Sequence, residues 1–147
     1  MQTKKGFTLI ELLVVIGILA VLLTITLVAI NPAKQFEQSN DTKRRSDVNT
    51  ILNAVNQYMA DNKGVVPPQI TTVEQEISDT AANLCAVLVP TYIASLPVDP
   101  SVGDGAAIDE AGCAGTYATG YTIIKSATNG RITVSALLST ESIGVSR

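Results

Sequence analysis

The chain has 147 residues, 46% apolar and 16% charged, with 10 Lys and Arg against 13 Asp and Glu, a formal charge of −3, and neither His nor Trp. A chain of this length fits one domain plus an appendage, and its acidic balance argues against a nucleic-acid surface, which needs clustered basic residues. Without His there is no Ser-His-Asp triad, no Cys-His pair and no His-based metal site.

The apolar residues are concentrated near the start. Residues 7–30 read FTLIELLVVIGILAVLLTITLVAI, with Glu11 as the one charge and three Thr. As a helix this run is about 36 Å long, enough for a bilayer core of ~30 Å, and no polar stripe interrupts it at a helical period. Lys4 and Lys5 precede it, which places the N-terminus in the cytoplasm and the remainder outside. A cleavable signal peptide fits poorly, because the run exceeds an apolar region of about 7–15 residues and no A-x-A site follows. Hydropathy alone leaves a plain membrane anchor open. Glu11 bears on that choice, since a carboxylate at mid-bilayer costs about 2.5–3.5 kcal/mol and usually marks function, whereas at the headgroup boundary it is cheap.

Residues 4–22, KKGFTLIELLVVIGILAVL, resemble the processing and assembly signal of type IV pilins and type II secretion pseudopilins. A short basic leader ends in Gly6, Phe7 follows, and Glu11 stands four residues on inside the apolar run. The resemblance covers about the first 30 residues. It implies that a prepilin peptidase cuts between Gly6 and Phe7, removing residues 1–6, and that the new N-terminal Phe7 is N-methylated. It implies a single-pass precursor in the inner membrane lipid, handed to a membrane assembly platform and polymerised with copies of itself into a cell-surface fibre. Cleavage would leave a positive α-amino group on Phe7 beside an apolar helix, and Glu11 of a neighbouring subunit could neutralise it. Such a pair sets register, because a mismatched subunit would bury an unpaired charge. A pseudopilin of a type II secretion-like system, forming a short envelope piston, is the alternative machine. An unprocessed membrane-anchored binding module is a third reading.

Asn31 and Pro32 end the run, since Pro lacks an N–H and clashes with the preceding turn, while Asn followed by Pro is also a helix start signal. The expectation is a kink there, with residues 7–31 as membrane and filament-core helix and a second helix over 32–62 within a spine segment 32–63. Val48, Ile51, Leu52, Val55, Tyr58 and Met59 form an apolar stripe along its second half. Pilins often carry a proline nearer the middle of the apolar segment, where this chain has Gly17. Between the halves lies Lys43-Arg44-Arg45, flanked by Glu37, Asp41 and Asp47. It reads either as a solvated face or as a contact for acidic patches on neighbouring subunits, available because residues 48–147 hold nine acidic and four basic groups.

Gly64 closes the second helix, and Val66-Pro67-Pro68 leads into a head of residues 64–147. Asp79 is expected to cap a helix over residues 80–89, closed by Pro90. Residues 101–115, SVGDGAAIDEAGCAG, form a loop; GYTIIKSA and RITVSALLS then flank Thr128-Asn129-Gly130, a hairpin signal. A further strand is expected at 115–118. The fold class is α+β, a long helical spine on a small antiparallel sheet, with a head of about 84 residues that gains from a staple. Cys85 and Cys113, the two cysteines, are expected to pair outside the membrane, closing a loop worth roughly 3–4 kcal/mol in the chain-entropy model. Asp99, Asp104, Asp109 and Glu110 share the loop where some major pseudopilins hold calcium, but their spacing matches no EF-hand and carboxylates in such loops are usually solvated. No other cofactor is implied. No nucleophile elbow, Walker loop or paired-carboxylate motif occurs, so an enzyme is not expected.

Overall fold

A computed structural model describes residues 6–147, which fall into two compact units divided between Phe36 and Glu37. Lys4, Lys5 and the rest of the expected leader before Gly6 lie outside the described residues.

In the first unit, helix α1 spans Leu9–Ile30 and none of its residues is buried. Thr8 caps it from an extended conformation, and Glu11 completes a reciprocal capping box. Within the helix the Thr24 and Thr26 hydroxyls donate to the carbonyls of Ala20 (2.8 Å) and Leu23 (2.9 Å). Both hydroxyls are thus satisfied without water, the condition a helix must meet in lipid. Asn31 adopts left-handed φ 43°, because the residue before a proline is driven from the helical region and Asn tolerates the left-handed one. Helix α2 then starts at Pro32, so the expected break is one residue wide.

The second unit contains α2 from Glu37 to its end at Asp61 and a four-stranded meander. Strands β1 (Gln75–Ser78), β2 (Ala118–Lys125), β3 (Ile132–Ala136) and β4 (Ile143–Ser146) pair antiparallel in chain order. The α2 stripe is the helical side of the core: Val48, Ile51, Leu52 and Val55 are fully buried against Ile77, Tyr121, Ile123, Ile132 and Val134, with Tyr58 and Met59 packed at its margin. Alternation along β3 buries Ile132, Val134 and Ala136, as a one-sided sheet requires. The end of α2 is tied by Gly64 N–H donating to Met59 O at 2.7 Å, with Lys63 (φ 55°) and Gly64 (φ 84°) both left-handed.

Three local expectations need correction. The helix expected over 80–89 is one turn, α3 (Cys85–Leu88). Asp79 does not cap it; its carboxylate accepts from Tyr117 N–H at 3.3 Å, and Ala82 N–H is drawn back to Glu76 O at 3.0 Å, which holds 79–84 out of the helix. Residues 115–118 do not form a separate strand; Ala118 opens β2, which runs on to Lys125. The strands β1 and β4 carry QEIS and IGVS, too short and too polar to announce themselves. Within β2 the register against β1 slips between Glu76 and Ser78, a bulge centred on Gly120 at φ +75°.

Candidate functional site

Two places gather the residues that the sequence singles out. The first is the start of α1. Thr8 N–H and the Thr8 hydroxyl donate to the same Glu11 oxygen at 2.8 and 2.7 Å, and Glu11 N–H returns a bond to Thr8 Oγ1 at 3.3 Å. The carboxylate is thereby folded back onto Thr8 at the helix start, next in sequence to Phe7, which is 84% exposed. This capping box was legible in the spacing T-x-x-E and was missed. A Cβ built on Gly6 meets nothing within 4 Å among the described residues, so packing within the chain does not require glycine there.

The second place is the segment 41–47 of α2, where the basic cluster neither faces solvent as a whole nor waits for a neighbouring subunit. Arg44 is 3% exposed. Its Nε and Nη2 donate to the two oxygens of Asp99 at 2.7 and 2.9 Å, Nη1 to Asp41 at 2.8 Å, and Nη2 also to Ser101 Oγ at 2.8 Å. Lys43 Nζ donates to Asp47 (3.1 Å) and to Val98 O (2.7 Å), while the exposed Arg45 pairs with Glu141. Thr140 donates to Asp41 at 2.6 Å, and Tyr121 hydroxyl to Asp47 at 2.8 Å. Asp41, Lys43, Arg44 and Arg45, on about two turns of helix, thus hold two loops, 98–101 and 140–141, against α2, and Asp47 holds Tyr121 of β2.

The charges follow from the contacts. Burial alone would raise Asp99, but the Arg44 guanidinium and the Ser101 N–H hold its carboxyl below the usual range. Asp41 is lowered by the Thr140 hydroxyl and by Arg44. Arg44 is raised, chiefly by its bonds to Asp99. Burial, then the bond to Asp47, raises the Tyr121 phenol. A fork-to-carboxylate pair with all three guanidinium nitrogens donating is the arrangement in which a buried ion pair is tolerated.

Asp99 is therefore occupied by Arg44 and does not converge with Asp104, Asp109 and Glu110. Asp104 accepts from Ala106 N–H (3.0 Å) and Asp109 from Gly112 N–H (2.9 Å), each within its own turn. Among the described residues no group of three or more carboxylates and thiols is placed to hold a metal ion. Cys85 in α3 and Cys113 in the 3₁₀ turn Gly112–Ala114 form a disulfide with Cα atoms 5.4 Å apart. Tyr117 buttresses it, donating to Asn83 Oδ1 at 2.9 Å and accepting from Cys85 N–H at 3.3 Å.

Comparison with known proteins agrees with this arrangement. Residues 1–27 match the family model of the prokaryotic N-terminal methylation motif. The chain is 32% identical over 89 residues to the type IV wide pilus major component PilA4 of Thermus thermophilus, a match covering 60% of this chain and 66% of that protein. At 89 residues it reaches well beyond the N-terminal motif. No solved structure matches. An N-terminal methylation motif, an unbroken apolar helix opened by a Thr8–Glu11 capping box, and a disulfide-closed antiparallel head make this chain a member of the type IV pilin and pseudopilin family.

Proposed function

We propose that the chain is the structural subunit of an extracellular type IV pilus-like filament. The observation that carries this reading is α1: 22 residues long, apolar on every side, with no buried residue and a single carboxylate in its first turn. Such a surface needs lipid or other copies of itself around it. The precursor is held in the inner membrane by α1. Prepilin peptidase cleaves between Gly6 and Phe7, Phe7 is methylated, and Glu11 neutralises the α-amine of an adjoining subunit as α1 exchanges lipid for neighbouring helices. The capping box supports this role by keeping the carboxylate at the end of the helix where the new amine appears.

Electron microscopy of sheared surface material, with N-terminal mass spectrometry of any fibre, tests the proposal. Long fibres whose subunits begin at methylated Phe7 are expected, and Gly6→Val should leave unprocessed precursor in the membrane. Short assemblies retained in the envelope would identify the secretion pseudopilus instead. An exported chain still beginning at Met1 would remove both.

A further inference from the structure

The first unit ends at Phe36, so it holds α1, the Asn31 break and the opening turn of α2. Pro32 has no N–H, so the Val28 carbonyl four residues back lacks its helical donor. Asn31, left-handed at φ 43°, adds a side-chain amide whose Oδ1 meets Lys34 N–H only at 3.5 Å. Hydrocarbon offers these groups no hydrogen bond, whereas hydrated headgroups do. The break therefore marks one limit of the lipid-embedded segment.

Glu11 marks the other. The helical rise from Glu11 to Asn31 is about 30 Å, the thickness of a bilayer's hydrocarbon core. Residues 12–30 carry no charge, and their only hydroxyls, on Thr24 and Thr26, are bonded inside the helix. Two polar positions one core thickness apart set the depth of α1. Sliding a turn either way would carry the unpaired carbonyl or the carboxylate into hydrocarbon.

From residue 32 the chain reads PAKQFEQSN, in which Phe36 is the one large apolar side chain, 72% exposed. Lys34 and Glu37 near it are exposed, and neither belongs to an ion pair among the described residues. Phe36 stands roughly 8 Å beyond Asn31, and helical side chains lean back toward the N-terminus. Its ring thus falls within a headgroup layer about 5–8 Å deep.

We propose that Asn31, Lys34 and Phe36 form a collar in the headgroup layer of the leaflet opposite the N-terminus, and that this collar holds Glu11 at the hydrocarbon boundary of the other leaflet. This rests on the membrane-held precursor of the filament reading and adds its depth. The partner is a lipid surface because the collar continues a helix with no buried residue, and a lone aromatic beside a cation at the end of an apolar span is an interfacial pattern. Glu37 offsets the charge of Lys34, so the collar sets depth more than affinity for anionic lipid. At the boundary the Glu11 carboxylate is cheap to hold in the membrane.

The chain has no Trp, so a single introduced one reports its own depth. Full-length Leu12→Trp, Val21→Trp and Phe36→Trp are placed in vesicles of phosphatidylethanolamine and phosphatidylglycerol carrying a nitroxide either on the headgroup or at the end of the acyl chain. Emission from positions 12 and 36 should be quenched more by the headgroup label, and from position 21 more by the acyl label. If position 21 behaves so but position 36 is unquenched, or either 12 or 36 is quenched more by the acyl label, the collar is overturned and the membrane anchor stands. No quenching at position 21 would overturn the anchor and the collar with it. A second arm combines Asn31→Leu and Pro32→Ala with Phe36→Trp, which removes the break; quenching at position 36 should shift toward the acyl label. An unchanged depth would show that the break does not set it.

Discussion

Asp99 has no exposed surface, and both its oxygens are on Arg44. Removing its charge leaves the guanidinium buried with one carboxylate instead of two. Asp99→Asn should cost about 3–5 kcal/mol, read by denaturant unfolding of the full chain in detergent, whereas Lys43→Ala, which cuts a half-exposed pair, should cost under ~1 kcal/mol. Equal losses at the two positions would refute the ranking. Glu11 presents the opposite case. Glu11→Leu removes a capping contact but eases insertion into lipid. If Glu11 pairs between subunits as proposed, precursor level should stay normal while fibre yield collapses, because the amine of Phe7 would then lack a partner. Undiminished fibres in that strain would reduce Glu11 to a helix cap.

At the scale of elements, the Gly120 bulge and the Gly130 turn separate two reasons for glycine. Both have positive φ. A Cβ at Gly130 meets nothing within 4 Å, but at Gly120 it would lie 2.7 Å from Val102 Cγ2 and 3.0 Å from Asp99 Cβ. Gly130→Ala should therefore cost about 1 kcal/mol from backbone strain alone, and Gly120→Ala clearly more, with the loop over Asp99 displaced; thermal unfolding of the two variants side by side decides. The elements legible in the sequence are those whose signal is local and long: α1 from its unbroken apolar run, α2 from its stripe, and the β2–β3 hairpin from Asn129-Gly130 between β-prone runs. What escaped notice depends on distant partners. Strand β1 is a strand because Gln75 and Glu76 pair with Ile123 and Thr122, and residues 79–84 stay out of the helix because Tyr117 takes Asp79. The basic cluster failed for the same reason: nothing near Arg44 in sequence announces Asp99, 55 residues on.

Across the whole molecule, the directions of the shifted groups set a pH range. Asp41 and Asp99, lowered in the folded chain, contribute stability that is present above the unfolded carboxyl value of about 4 and lost as pH falls below it. Tyr121, raised in the folded chain, contributes stability that is present below about 10 and lost as pH rises beyond. Arg44, which faces both carboxylates and is itself raised, stays charged throughout that interval. Unfolding of the full chain should thus show a plateau between about pH 4 and pH 10 with a fall on each side, and Asp99→Asn should flatten the acid limb. A slope centred near pH 7 would contradict the assignment, as the chain has no His to supply one. The uniform surface of α1 has a last consequence. A helix that offers lipid the same face at every azimuth has no preferred rotation about the bilayer normal, so it works as a slip bearing: each subunit can spin freely until a charge or a contact on its head stops it at the angle the growing tip accepts.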